Sequence, residues 1–258
     1  LIHHILTGEV FLAVFPGTKY HEDNNVTREL LKLESTFFTG NTKFQTLKGL
    51  EPYYAAIRKT AAHIVTHQEK HTFLKAVYEN FYKVYNPKAA DQLSVVYAPK
   101  EIVRFMIESA DYLCEESFGR NLIHEDVDIL DPATGTGTFI CELIDHFAGQ
   151  PKKLTSKYGT GLHANEVGIL PYYVANLNIE ATYSAATGSY VEFPGLCVVD
   201  TLDNTFALQK HSGHMDNLFG TLSDDNVKRI KAQNKRTISV IIGNPPYNAN
   251  QLNENENN

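Results

Sequence analysis

Residues 131–139 form the segment most able to bind a ligand, because they combine an acidic residue with two glycines in the order Asp-Pro-Ala-Thr-Gly-Thr-Gly-Thr-Phe. An apolar run precedes them and an amphipathic stretch follows, which predicts a tight turn from a strand into a helix. Gly135 and Gly137 would let a ligand approach the backbone closely, and the helix start would offer unpaired N–H groups. A turn with a purely structural role is an equally good interpretation of this segment alone.

The turn lacks the residues of two common nucleotide-binding patterns. A dinucleotide-binding turn has a third glycine where this sequence has Ile140, and a phosphate-binding loop has a lysine that is missing here. Two more carboxylates, Glu166 and Asp200, each follow a short apolar run. Either one alone is equally a helix cap or a solvated turn residue. Together with Asp131 they predict a nucleoside site, in which Glu166 accepts hydrogen bonds from ribose hydroxyls and Asp200 accepts from an amine.

Residues 244–247 read Asn-Pro-Pro-Tyr and directly follow the apolar run 238–242. Two prolines restrict the backbone and remove two donors, which leaves carbonyl groups as outward acceptors. The amide of Asn244 and the ring of Tyr247 stand beside them, a combination that suits a planar group bearing an amine. A rigid turn with a surface tyrosine is the alternative, and the position at a strand end makes it the weaker one.

The elements around these segments alternate between strand and helix. Such alternation predicts an α/β domain with a parallel sheet, whose ligands bind beyond the carboxyl ends of the strands. The continuous apolar run at residues 238–242 predicts a central strand that is covered on both faces. The predicted strands are 127–130, 160–164, 196–199 and 238–242, and the predicted helices between them are 138–147 and 169–185.

The first 90 residues are predicted to be helical, since their apolar residues recur every three or four positions. Asn25 is placed to cap the first of these helices, and Pro87 ends the last one. Pro99 then stands where the first turn of a further helix favours proline. The predicted helices of this part are 26–38, 50–66 and 70–84.

The composition excludes several classes of protein. Of the 258 residues, 43% are hydrophobic and 21% are charged, which is typical of a folded globular chain. Three separated cysteines argue against a disulfide framework, and no apolar run approaches the ~20 residues of a membrane-spanning helix. The net charge of −7 argues against a dedicated nucleic-acid clamp. That charge is uneven, because residues 1–90 carry 11 basic and 8 acidic side chains and the remainder carries 12 and 22.

The segments 131–139 and 244–247 together resemble those of methyltransferases that act on amino groups with S-adenosyl-L-methionine, most closely the N6-adenine DNA methyltransferases. Residues 97–100 resemble the family's Tyr/Phe-Thr-Pro motif, with Ala98 in place of threonine. The same segments are similar to the methyltransferase part of large single-polypeptide, type I-like (type ISP/IIG) restriction–modification enzymes. Residues 1–90 resemble, more loosely, the coupler that joins a motor or nuclease to that part.

This resemblance implies a Rossmann-like, S-adenosyl-L-methionine-dependent sheet preceded by an α-helical segment, and it implies direct methyl transfer to a flipped adenine in double-stranded DNA. Asn244 and the Pro245 carbonyl would accept hydrogen bonds from the adenine amino group, while Tyr247 would stack on the ring. The implied catalytic residues are Asn244, Pro245, Pro246 and Tyr247. The implied cofactor-binding residues are Tyr97, Ala98, Pro99, Asp131, Pro132, Ala133, Thr134, Gly135, Gly137, Phe139, Glu166 and Asp200.

Three features of the sequence have mainly structural interpretations. His63, His67 and His71 recur every four residues, but neither a Glu-x-x-His spacing nor a cysteine pair accompanies them, so no metal site is expected. The basic residues between 228 and 236 suit a solvated helix slightly better than a phosphate-facing surface. Residues 248–258, rich in Asn and Glu, predict a mobile loop that could order on DNA.

The expected organisation is a helical segment at residues 1–90 and the N-terminal part of a methyltransferase domain at residues 91–258. Because the chain starts with neither a methionine nor a signal peptide, we expect a piece of a longer bacterial cytoplasmic protein, with target-recognition, motor or nuclease domains elsewhere. Two alternatives stay open. One is methylation of the side-chain amide of a protein glutamine, a reaction in which an Asn-Pro-Pro-Tyr motif plays the same part. The other is a fragment that binds the cofactor or serves in assembly without catalysis.

Overall fold

The computed structural model describes residues 2–14, 25–39, 41–66, 69–70, 72–74, 76–77, 80, 98–202 and 220–245. The N-terminal helices are α1 (Ile2–Val14), α2 (Asn25–Phe37), α3 (Thr42–Leu47) and α4 (Glu51–Ala61), with a 3-10 turn at Lys48–Leu50. The later elements are α5 (Lys100–Phe118), β1 (Asp128–Asp131), α6 (Thr138–Phe147), α7 (Pro151–Thr160), β2 (Leu162–Glu166), α8 (Ile169–Thr187), β3 (Leu196–Val198), α9 (Gly220–Gln233) and β4 (Ile238–Ile241).

The four strands form one parallel sheet in the order β3-β2-β1-β4. The chain runs outward from β1 to β2 and β3, and then returns to place β4 on the other side of β1. The strand order therefore reverses between β1 and β4, which is where open α/β sheets bind ligands. The predicted Rossmann-like α/β sheet preceded by helices is confirmed, and each strand lies within two residues of its predicted position.

Helix α8 is the centre of the hydrophobic core, because 13 of its 19 residues are buried. It packs against α6, β2 and β3, and also against α1 of the N-terminal segment. The ring of Tyr173 lies 5.9 Å from that of His4 and 6.4 Å from that of Phe11. Although α8 is long and apolar, no helix in the described part of the chain could cross a membrane. The N-terminal helices thus share one core with the sheet, while the predicted boundary at residue 90 lies outside the described residues.

The predicted helix 50–66 is wrong at its carboxyl end, because α4 stops at Ala61. The Oε2 atom of Glu69 accepts from the backbone N–H of Thr66 at 3.0 Å, and the Thr66 hydroxyl accepts from the N–H of Glu69 at 3.2 Å. This reciprocal capping box joins Thr66 to Glu69, where the described helical residues resume. The N–H bonds also lower the pKa of Glu69. His63 therefore lies in a turn and not on a helical face, and His67 and His71 lie outside the described residues.

The expectation that residues 238–242 form a strand covered on both faces is also wrong. Within the described residues β4 pairs with β1 alone, and its side chains alternate between half-buried and exposed. Ile241 is 68% exposed, whereas Ile242 is buried. An apolar run reveals how hydrophobic a strand is, but it does not reveal how many neighbours the strand has.

An ion pair joins the amino end of β1 to the segment that enters β4. The guanidinium of Arg236 donates to both carboxylate oxygens of Asp128, at 2.6 and 3.0 Å. Asp128 is buried, so this bidentate pair satisfies a carboxylate that would otherwise be costly to bury. Arg229 of α9 likewise binds the carbonyl oxygen of Phe193 at 3.0 Å. Two of the basic residues between 228 and 236 therefore hold the fold together, and Lys228, Lys231 and Lys235 are exposed.

Gly195 offers a direct test of how closely β2 and β3 approach each other. A Cβ atom at this position would lie 2.1 Å from the backbone oxygen of Leu162, which is far inside contact distance. We predict that Gly195→Ala lowers the free energy of unfolding by about 1–3 kcal/mol, the usual cost of forced overpacking. Urea unfolding measures this change. Gly149→Ala, where the added Cβ meets open space, is the matched control, and an equal loss in both variants would contradict the packing shown.

Candidate functional site at the β1–β4 junction

The turn that follows β1 is built on a buried carboxyl group. Asp131, the last residue of β1, is 0% exposed, and its Oδ1 atom accepts from the N–H of Ala133 at 3.2 Å. Gly135 and Gly137 have φ angles of 57° and 88°, in the left-handed region that other residues rarely adopt. Pro132, Ala133 and Gly135 are half-buried, so part of the turn is accessible at the surface.

Hydrogen bonds from the turn reach the end of the neighbouring strand β2. The N–H of Thr134 donates to the carbonyl of Asn165 at 2.9 Å, and the N–H of Gly135 donates to Oε2 of Glu166 at 2.8 Å. The other oxygen of Glu166 accepts from the N–H of Gly168 at 2.7 Å. The Glu166 carboxylate therefore joins the β1 turn to the loop after β2. Since two carboxylate oxygens have about four acceptor positions, it keeps capacity for a further donor.

The end of β4 lies directly against Asp131. A Cβ atom on Gly243 would lie 2.6 Å from Oδ1 of Asp131 and 3.1 Å from Cδ of Pro132, so only glycine fits here without a shift. The preceding residue is held in place by its N–H, which donates to the carbonyl of Leu130 at 3.0 Å. The structure thus brings Asn244 and Pro245 beside the turn, the former half-buried and the latter exposed. Pro246 and Tyr247 lie outside the described residues.

Two carboxyl groups of the site are weaker acids than usual. Burial raises the pKa of Asp131 to about 7, the N–H of Ala133 opposes this rise, and the charge of Glu166 adds to it. Burial also raises the pKa of Glu166 to about 7, against the lowering effect of backbone N–H donors. The Oδ2 atom of Asp131 is buried and has no hydrogen-bond partner. A donor or a positive charge next to this pair would lower both pKa values.

The remaining predicted residues lie at different depths. Asp200 is exposed after β3, and its Oδ1 atom accepts from the N–H of Leu202 at 3.0 Å. Phe139 is buried, and its side chain packs in the core. Ala98 packs against the core, and the carbonyl of Pro99 accepts from the N–H groups of Ile102 and Val103 in the first turn of α5. Tyr97 lies outside the described residues.

Helix α5, which begins after Pro99, is fastened to the helix that follows the turn. Lys100 and Arg104 of α5 bind the two carboxylate oxygens of Glu142 in α6, at 2.9 and 2.7 Å. The Glu142 side chain is nearly inaccessible, and these two cations lower its pKa although burial acts in the opposite direction. The segment 98–100 is therefore held in a fixed position relative to the start of α6.

Sequence reasoning missed three residues that hold the turn in place. The buried side chain of Asn178 in α8 donates to the carbonyl of Thr136 at 2.9 Å. The Nδ2 atom of Asn165 donates to the Thr201 hydroxyl at 3.1 Å, and that hydroxyl donates to the carbonyl of Pro132 at 2.6 Å. An asparagine within the apolar helix 169–187 was an available signal for the first contact, because a buried amide needs partners. Among the described residues, no cluster of His, Cys, Asp and Glu side chains could hold a metal ion.

Comparisons with known proteins agree with this architecture. The model of the family described as N-6 DNA Methylase matches residues 69–258. A solved structure, the cryoEM structure of a DrdV–DNA complex, is 52% identical over 100% of this chain, with a TM-score of 0.86. No curated protein matches the sequence.

Two further solved structures are of enzymes described as Type ISP restriction-modification enzymes. A nuclease-deletion mutant of LlaGI with a DNA substrate mimic is 33% identical over 98% of this chain, with a TM-score of 0.78. The ATP-dependent LlaBIII bound to DNA is 34% identical over 97%, with a TM-score of 0.80. This chain covers 24% of the DrdV chain, 20% of the LlaGI chain and 17% of the LlaBIII chain.

The raised pKa of Asp131 predicts a pH dependence of stability. The pKa of Asp131 is about 7 in the folded chain and has its usual value of 3.8 in the unfolded chain. Between these two pH values the Asp131 carboxyl group is therefore protonated in the folded state and ionised in the unfolded state. The free energy of unfolding should therefore fall as pH rises from about 4 to 7, by up to about 1.4 kcal/mol per pH unit for each such group.

Asp131→Asn removes one group that takes up such a proton. Between pH 4 and 7 the free energy of unfolding of this variant should therefore fall less steeply, by up to about 1.4 kcal/mol per pH unit. Above neutral pH the variant should have lost less of its stability at pH 4 than the unaltered protein. Urea unfolding at a series of pH values measures the effect. Glu166 and Glu180, whose pKa values burial also raises to about 7, should keep their own contributions to the slope in this variant. Glu116→Gln, on the exposed face of α5, is the control. An unchanged slope in Asp131→Asn would contradict the burial of this carboxyl group.

Proposed function

The chain belongs to the N-6 DNA methylase family, and we propose that it methylates the exocyclic amino group of adenine in DNA with S-adenosyl-L-methionine as methyl donor. The proposed role is the modification activity of a restriction–modification enzyme. The observation that carries it is the close contact between Gly243 and Asp131, which joins the β1 turn to Asn244 and Pro245. This junction is the switch point of the sheet, where α/β proteins bind ligands.

The residues after β4 suit an amino group on a planar ring. We assign the Asn244 side-chain oxygen and the Pro245 carbonyl as acceptors for the two hydrogens of the adenine amino group. These bonds draw the nitrogen lone pair out of conjugation and direct it toward the methyl carbon. Pro246 would keep the backbone rigid, and Tyr247 would stack on the base, a contact worth about 1–3 kcal/mol. The rate would come from alignment of the acceptors, with no prior removal of a proton.

The residues after β1, β2 and β3 fit S-adenosyl-L-methionine because they offer backbone and carboxyl groups, and because the turn has no lysine or arginine for a phosphate. When bound, this group supplies a methyl on a positively charged sulfur. We assign Asp131 to the amino end of the methionine part, Glu166 to the ribose hydroxyls and Asp200 to the adenine amino group. The backbone of residues 97–99 and of the turn 131–137, which includes Pro132, Ala133, Thr134, Gly135 and Gly137, would hold the rest.

The proposed partner is double-stranded DNA from which the target adenine is flipped, since an adenine amino group inside a duplex is paired and stacked. The DrdV and LlaBIII structures are DNA complexes, and the LlaGI structure holds a DNA substrate mimic. Those chains are much longer than this one, so we assign recognition of the DNA sequence to domains beyond the segment described. The unequal charge of the chain supports this division, because residues 91–258 carry the excess of acidic side chains.

Binding of S-adenosyl-L-methionine is the first test of the proposal. Asp131→Ala should weaken the dissociation constant by about 10- to 100-fold, as expected for one lost hydrogen bond to a charged group. Isothermal calorimetry on samples that circular dichroism shows to be folded measures this change. Asp126→Ala, an exposed aspartate before β1, is the matched control. Absence of binding to the folded protein, or binding that Asp131→Ala does not alter, would overturn the cofactor assignment.

Transfer of a radiolabelled methyl group by the full-length protein is the second test. Asn244→Ala should lower the turnover number on DNA by about 100- to 1,000-fold, the usual effect of removing one group that aligns a reacting atom. Its affinity for S-adenosyl-L-methionine should stay within about twofold. Asn121→Ala, in the loop before β1, is the matched control. Label found on a protein glutamine and not on N6 of adenine would contradict the assignment of DNA as substrate.

A further inference from the structure

One hydroxyl group, that of Thr201, joins the loops that follow three neighbouring strands. It lies three residues after the last paired position of β3, accepts from Nδ2 of Asn165 at 3.1 Å, and donates to the carbonyl of Pro132 at 2.6 Å. A threonine hydroxyl has one donor and two acceptor positions, so both bonds form at once. The bridge therefore spans the loop after β3, the end of β2 and the turn after β1.

Each residue of this bridge is the direct neighbour of one of the three carboxylates. Pro132 follows Asp131, Asn165 precedes Glu166, and Thr201 follows Asp200. The paired register ends at Asp131 with Ala164 and at Glu166 with Val198, so Pro132 and Thr201 lie beyond it and Asn165 lies in its last part. Backbone bonds continue from Thr134 to Asn165 and from Val199 to Glu166, and the Thr201 side chain adds a bond from the loop after β3 to the turn after β1.

We propose that Thr201 is a positioning residue that fixes the spacing of the Asp131, Glu166 and Asp200 carboxylates for the nucleoside part of the cofactor. This inference rests on the proposed function, since it concerns the same site. Asp200 depends on the bridge most, because it is exposed and its carboxylate accepts from the N–H of Leu202 at 3.0 Å, a bond that lies within its own loop. Without the hydroxyl, the bond that couples that loop to the turn at Pro132 would be lost.

The assignment predicts which part of the ligand loses affinity. The three carboxylates are assigned to the amino, ribose and adenine groups, all of which S-adenosylhomocysteine shares with S-adenosyl-L-methionine. Thr201 should therefore affect the binding of both compounds equally. Loss of the Thr201 hydroxyl should not affect methyl transfer to the amino group held by Asn244. The turnover number at saturating cofactor and the affinity for DNA should therefore both stay unchanged.

The test compares Thr201→Val, which keeps the shape and loses the hydroxyl, with Thr201→Ser, which keeps the hydroxyl. Calorimetry should show about tenfold weaker binding of both S-adenosyl-L-methionine and S-adenosylhomocysteine to Thr201→Val, the effect of one lost hydrogen bond. Thr201→Ser should bind within about twofold of the unaltered protein. Thr160→Val, which removes an exposed hydroxyl at the end of α7, is the matched control and should have no effect. In the full-length protein, the KM for the cofactor should rise while the turnover number and the KM for DNA stay constant.

Several outcomes would overturn the assignment. Unaltered cofactor binding in Thr201→Val would do so, as would equal losses in Thr201→Ser and Thr201→Val. A fall in turnover number and DNA affinity in step with the cofactor affinity would show a general structural role instead. Asp131→Ala, measured on the same preparations, separates the two proposals. If Asp131→Ala weakens binding and Thr201→Val does not, the role of Thr201 alone is wrong; if neither does, the cofactor site itself is wrong.

Discussion

The buried carboxyl group of Asp131 is the constraint on which the rest of the site depends. A carboxyl group removed from water is costly unless donors or a charge satisfy it, and its raised pKa expresses that cost. Two neighbouring segments accommodate this carboxyl group. The turn after β1 donates the N–H of Ala133 to it, and the end of β4 packs against it at Gly243, where a Cβ atom would not fit. The loops after β2 and β3 then attach to this turn through Glu166 and Thr201.

Helix α8 connects this site to the N-terminal helices. On one part of its surface it meets the turn, where Asn178 bonds to Thr136 and a Cβ on Gly137 would lie 3.1 Å from Ile179. On another part it meets α1, through the ring contacts of Tyr173. Because packed interiors resist compression, a displacement of α1 relative to the sheet cannot leave α8 unaffected. The helical segment is thus part of the support of the site and not a separate attachment.

The features that the sequence predicts well are local ones. The bounds of α6 and the tight conformation at Gly135 and Gly137 follow from apolar periodicity and glycine chemistry within a few residues. The bridge through Thr201 was missed because Pro132 lies 69 positions away, and such a pairing depends on strand order. The exposure of Ile241 was missed for the same reason. The capping box at Thr66, by contrast, was a local signal within reach of the sequence.

The ion pair between Arg236 and Asp128 has a consequence for how β4 finds its place. Arg236 is held at one end of β1, and Gly243, seven positions later in the sequence, meets Asp131 at the other end. A slip of β4 by one residue would break the charge pair and also bring Ile242 or Asn244 to a spot that excludes any Cβ atom. The two contacts therefore favour the single register of β4 that places Asn244 and Pro245 beside the turn after β1.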